Sequence, residues 1–138
     1  MEITYFIQAT EDLEKVSKTV IEKFGLPTDE EREQLSGHFG NTIIRVILNL
    51  SGKAATSAFG KLVAFLGSDR TRELLRDMEL ATDDHGALYI RLDKQDFLRG
   101  RAVFGATDPL RIRVRARGYL VDRDLRQIYG ELMGQEGN

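Results

Sequence analysis

The sequence predicts an α+β fold, an antiparallel or mixed sheet with helices packed mainly on one face. Two observations predict it. Stretches of period-two alternation, such as RIRVRAR at 111–117, stand beside stretches whose apolar residues recur at helical spacing, such as Leu125, Ile128, Tyr129, Leu132 and Met133. Their order reads β-α-β-β-α-α-β-β-α, without the regular βαβ alternation of a parallel sheet. At 138 residues the chain is one domain, long enough to bury a core without staples. Residues 1–117 read as its α+β body and 118–138 as a C-terminal helical extension.

ITYFIQA, residues 3–9, reads as a strand, and Thr10 as the N-cap of a helix whose Leu13, Val16, Val20 and Phe24 form one stripe. Gly25 and Pro27 end that helix, a left-handed cap followed by a breaker. EEREQLSGHFGN is largely polar and forms a short edge strand with a turn. In NTIIRVILNL, Ile44, Val46, Leu48 and Leu50 share one strand face, and Ile43, Arg45, Ile47 and Asn49 the other. Gly52 leads into a helix carrying Ala55, Phe59, Leu62, Val63 and Leu66; Gly67 and Ser68 break and restart it, and Leu74, Leu75 and Met78 mark a further helix. Asp83, Asp84, His85 and Gly86 turn the chain into the strand ALYIRL, and Asp93 caps a short helical turn in KQDFLRGR. Asp108 and Pro109 open the last strand, LRIRVRAR. The closing helix, from about Asp122, has an apolar stripe that docks on this domain or pairs with a second copy as a homodimer.

Composition excludes several functions. No run reaches the 18 or so apolar residues of a membrane span, so no membrane partner is expected. The opening MEITYFIQATED lacks the pattern of an export signal, and the absence of Cys removes disulfide and thiol chemistry; both fit a cytoplasmic location. With two His and no Cys a zinc site is disfavoured, and without a P-loop, dinucleotide fingerprint or nucleophile elbow no cofactor is predicted. Asp93 and Asp96, with Asp83 and Asp84, leave a metal-dependent nuclease as an alternative, outweighed by the capping role of Asp93. No catalytic residue is therefore predicted.

The net charge of −2 conceals an asymmetry: residues 91–126 hold ten Lys and Arg against five Asp. In the last strand Leu110, Ile112, Val114 and Ala116 point one way, and Arg111, Arg113, Arg115 and Arg117 the other, about 7 Å apart. The same parity in the preceding strand buries Leu88, Ile90 and Leu92 and turns Tyr89 and Arg91 outward. Guanidinium groups fork onto phosphates, and a tyrosine ring offers a platform for an unstacked base, so the pattern suits RNA. A merely solvated face also alternates, but mixed signs would relieve the repulsion within such a row. Lys94 and Gln95 supply polar contacts beside it, or else join Asp93 in a buried polar knot at the strand-to-helix corner. Gly37-His38-Phe39-Gly40 matches the G-x-x-G loop of KH domains, although a tight turn accounts for it better; His38 and Asn41 could contact RNA from there.

Taken together, YFIQATEDLEKV, GHFGNTI, LYIRLDKQ and IRVRAR resemble an archaeal RNA-binding family whose members carry the label of predicted exosome subunits. Its members look like the RNA-binding fold of large-ribosomal-subunit protein five. The resemblance spans roughly residues 2–117. It implies an α+β domain with an antiparallel sheet and a role in binding structured RNA or an RNA-processing complex. The family's blocks fall on Gly37, His38, Gly40 and Asn41, and on Tyr89, Arg91, Asp93, Lys94 and Gln95. The arginine row comes from strand parity instead. The expectation is a non-catalytic RNA-binding protein; the alternative is a module that docks on an acidic protein without touching RNA.

Overall fold

The computed structural model describes residues 1–25, 29–37, 40–116 and 125–134. The strands are β1 (Glu2–Ile7), β2 (Glu31–Ser36), β3 (Thr42–Asn49), β4 (Ala87–Asp93) and β5 (Pro109–Arg115). The helices are α1 (Leu13–Phe24), α2 (Gly52–Arg76), α3 (Met78–Ala81), α4 (Lys94–Leu98) and α5 (Leu125–Leu132). The strands form one sheet in the order β2-β3-β1-β5-β4, and every neighbouring pair is antiparallel.

Period-two alternation gives the sheet a dry face. Ile3, Tyr5 and Ile7 of β1, Val46 and Leu48 of β3, Leu88, Ile90 and Leu92 of β4, and Leu110, Ile112 and Val114 of β5 are all buried. Against them pack Val16, Val20 and Phe24 of α1, Phe59, Leu62, Leu66 and Leu74 of α2, and Phe97 of α4. Each such burial contributes about 1.5–3 kcal/mol. Phe97 stacks on Phe24 at 5.7 Å between ring centroids and meets Phe65 edge-on at 5.2 Å, so three helices share one aromatic cluster. Among the described residues, no helix is long and apolar enough to cross a membrane.

Local signals place most helix ends. Gly25 adopts φ +65°, and its N–H closes α1 onto the carbonyl of Ile21. The N-cap, however, is Asp12 and not Thr10: the Asp12 side chain accepts from the Lys15 N–H at 3.3 Å. Residues 8–11 form a turn instead, the Glu11 N–H donating to the Gln8 carbonyl at 3.0 Å while the Glu11 carboxylate accepts from the Gln8 N–H and from Lys94. Helix α2 spans Gly52–Arg76 as two helical segments broken at Gly67, whose φ of +76° and ψ of 173° lie outside the helical region. Leu74 and Leu75 belong to its second half, while Met78 opens α3.

The C-terminal helix docks on the same core. Tyr129 and Met133 are buried, whereas Leu132 is 53% exposed; the Leu125 and Ile128 side chains lie outside the described residues. The Tyr129 hydroxyl lies 2.6 Å from the Gly86 carbonyl and 3.1 Å from that of Val114, and accepts from the Ala116 N–H at 3.3 Å. One side chain thus fastens α5 to the turn before β4 and to the end of β5.

Candidate nucleic-acid interface

All the helices that join the core do so on the dry face, so among the described residues the opposite face of the sheet stays open. Parity decides what stands on it. From β5 come Arg111, Arg113 and Arg115; from β4, Tyr89 and Arg91; from β1, Glu2, Thr4 and Phe6; from β3, Ile43, Arg45 and Ile47. The register aligns these into rows. Arg91, Arg111 and Thr4 lie abreast, Tyr89, Arg113 and Glu2 form the next row, and Phe6 stands opposite Arg45. A depression of about 410 Å³ runs across the strands, lined among others by Thr4, Arg45, Ile47, Tyr89, Arg111 and Arg113.

Sequence parity therefore places Arg111, Arg113, Arg115, Tyr89 and Arg91 on one surface, with Tyr89 and Arg113 direct cross-strand partners. Arg117 lies outside the described residues. Arg91 faces Arg111 directly, a like-charge pair that costs stability. Among the described residues no carboxylate comes within ion-pair distance of Arg91, Arg111 or Arg115. The row is not wholly without acids, since Glu2 is the cross-strand neighbour of Arg113.

Two arginine–aromatic pairs flank the row. Arg111 lies over the Phe6 ring at 5.9 Å and Arg113 over the Tyr89 ring at 6.0 Å. Tyr89 is fixed at its far end: its hydroxyl accepts from Arg113 Nε at 3.2 Å and donates to Asp83 Oδ2 at 3.0 Å. Asp83 is itself anchored, accepting at 2.9 Å from the N–H groups of His85 and Ala87. The Ala87 N–H above all, helped by the Tyr89 hydroxyl and the His85 N–H, holds the Asp83 carboxyl below its usual range. At the other side of the face Arg45 pairs with Glu33, and its Nε is buried without a hydrogen-bond partner.

Lys94 and Gln95 do not join this surface. The Lys94 side chain is 0% exposed, and its ammonium contacts Glu11 Oε1 at 2.8 Å, Asp108 Oδ2 at 2.9 Å and the Phe6 carbonyl at 2.5 Å. A buried ammonium with three oxygen partners has no donor left for a further contact, the geometry of a polar knot at the strand-to-helix corner. Gln95 is exposed but donates to Glu11 Oε2 at 3.2 Å, at the same corner. Burial disfavours the charged form of Glu11, yet the hydrogen bonds from Lys94, the Gln8 N–H and Gln95 outweigh it and keep the carboxyl below its ordinary 4.5. Asp93 accepts from the Asp96 N–H at 2.9 Å, the capping role its sequence context predicts. Among the described residues no three His, Cys, Asp or Glu side chains are grouped to hold a metal ion.

The two glycines of the G-x-x-G segment lie between β2 and β3. Gly37 N–H donates to the Asn41 carbonyl at 2.5 Å and Gly40 N–H to the Gly37 carbonyl at 3.1 Å. Asn41 is exposed beyond the last β1–β3 pair, two strands from β5; His38 lies outside the described residues. Phe6 and Arg45 share this face although neither is predicted from the sequence as a site residue. The signal for Phe6 was available in the parity of β1, whose Ile3, Tyr5 and Ile7 point inward; the adjacency of β1 to β5 was not.

The comparisons with known proteins agree on one family. A family model described as RNA binding matches residues 1–117. RNA-binding protein PAB1135 of Pyrococcus abyssi is 30% identical over 129 residues, 88% of this chain and 84% of that protein. An uncharacterized protein of Methanocaldococcus jannaschii is 32% identical over 104 residues, 69% of this chain and 68% of its own length. Solved structures share the fold. A DUF54 protein of Methanothermobacter thermautotrophicus superposes with a TM-score of 0.72 at 24% identity, covering 97% of this chain and 93% of that one. A Sulfolobus solfataricus protein of the same family gives 0.73 at 23% identity and 96% coverage of both chains.

Proposed function

We infer, since the chain belongs to the RNA-binding family and, among the described residues, no helix covers one face of its sheet, that this open face is where RNA is held. Arg91, Arg111, Arg113 and Arg115 take phosphates, and Phe6 and Tyr89 offer ring faces to bases. The carrying observation is the register that sets Arg111 and Arg113 between those two aromatic rings on one uncovered surface. The role is binding without a chemical step of its own. Association with an RNA-processing complex such as the exosome belongs to this reading and rests on the family resemblance alone.

Magnitudes favour base stacking over the resting contacts. An exposed cation–π contact is worth about 0.5–1 kcal/mol, whereas stacking a base on an aromatic ring contributes about 1–3 kcal/mol. An arginine that yields its ring to a base is also free to turn to the phosphate beside that base.

A salt titration of binding to mixed single-stranded and hairpin RNAs tests the reading, with wild type set against the Arg111→Ser, Arg113→Ser, Arg115→Ser triple variant. Wild-type affinity should fall steeply with salt, and the log–log slope should become shallower by about 0.7 for each arginine that meets a phosphate. Unchanged affinity and slope in the folded variant would exclude this face. No binding at low salt would leave the arginines as an anchor for an acidic protein, detectable by pull-down after nuclease treatment.

A further inference from the structure

We propose that the open face selects single-stranded RNA, seating one base on Phe6 and another on Tyr89 in place of the guanidinium groups of Arg111 and Arg113. This rests on the reading above and adds the class of RNA. Three features carry it.

The first is the repeated pairing. Arg111 covers Phe6 and Arg113 covers Tyr89, on opposite sides of β5. Each ring thus has a guanidinium near it but not packed flat on it, and that group can move aside without exposing a buried charge, since the arginine residues are exposed or half-exposed.

The second is separation. Tyr89 is level with Glu2 through Arg113, so Phe6 lies four residues farther along β1 and two strands across. Strand geometry makes that roughly 16 Å. Bases stacked in a duplex strand advance by about 3.4 Å per step, so bases seated on both rings cannot be stacked neighbours. The chain that spans them must be unpaired and splayed.

The third is the floor of the depression beside Tyr89. Ile47, Ile90 and Ile112 line it together with Glu2, Arg45 and Arg111, giving it apolar ground as well as charge. A duplex offers phosphates, riboses and shallow base edges to a flat sheet but no ring faces, because its bases are stacked and its major groove is too narrow to enter. It would leave both rings and this floor unmatched.

The test is fluorescence anisotropy with a labelled ten-nucleotide unstructured RNA and with the blunt duplex of the same strand, at one low salt concentration. The proteins are wild type, the Phe6→Leu, Tyr89→Leu double variant, and Arg111→Ser, Arg113→Ser. Wild type should bind the single strand at least about tenfold more tightly than the duplex. Each ring replaced should cost about 5–150-fold on the single strand, the range that base–aromatic stacking predicts, and the preference over duplex should collapse. Leucine keeps the apolar contact while removing the stacking face, and circular dichroism checks that the fold is retained. Tyr89→Leu alone serves if the Phe6 change unfolds the protein, since Tyr89 is 38% exposed. Equal wild-type affinity for both RNAs, or undiminished single-strand binding by the leucine variants, overturns the single-strand proposal; if the arginine variant still weakens binding, the RNA reading survives it. Failure to bind either RNA overturns both.

Discussion

Lys94 illustrates how one residue can change meaning between sequence and structure. Beside Arg91 in RLDKQ it reads as part of a basic surface, but it is fully buried, bonded to Glu11 from 83 positions away and to Asp108. Nothing in local spacing could announce that pairing, because both acids reach the corner through tertiary folding. A buried ammonium with its partners in place adds little net stability, yet removing it strands the partners. Lys94→Ala should therefore lose about 3 kcal/mol at neutral pH, measured by urea denaturation. The loss should depend on pH in a definite direction. The carboxyl of Glu11 is held below its ordinary 4.5 when folded, so its contribution is present above that pH and vanishes as the pH falls through the folded value. Wild type and variant should accordingly converge in stability below pH 4.5. A gap that persists undiminished into acid would show that Glu11 is not the partner that matters.

At the scale of elements, strands were more legible than their neighbours. Alternation alone identified the inward and outward sets of β4 and β5, including Tyr89 beside the arginine row, because side-chain parity is a local property. That β1 lies on the other side of β5 is a matter of topology, and Phe6 therefore escaped notice. The C-terminal helix was half legible. Its stripe predicts an apolar face, but only the structure shows Tyr129 buried with its hydroxyl between β4 and β5 and Leu132 left outside. Tyr129→Phe keeps the ring and removes the clamp, leaving the Gly86 carbonyl and Ala116 N–H without that partner. It should cost about 1–3 kcal/mol in chemical denaturation. An unchanged midpoint would mean that water replaces the hydroxyl and that α5 is held by packing alone.

For the whole molecule, Arg91, Arg111, Arg113 and Arg115 of the basic segment stand on one side of the sheet, with Glu2 beside Arg113. The order β2-β3-β1-β5-β4 leaves β2 with a single partner strand. Its outer edge carries Glu31, Arg32 and Glu33, all exposed. A second β2 arriving antiparallel and centred on Glu33 would set two glutamates face to face, a register disfavoured by repulsion. Charge on this border thus guards against uncontrolled stacking of sheets into larger aggregates. Glu31→Val with Glu33→Val should turn a dispersed protein into one that self-associates with rising concentration, read by sedimentation velocity. If the variant sediments as wild type does, the border is protected by something other than charge. On this view the face proposed to hold a polyanion and the border that would refuse another sheet are two uses of the same alternation, one recruiting charge and the other repelling a copy of itself.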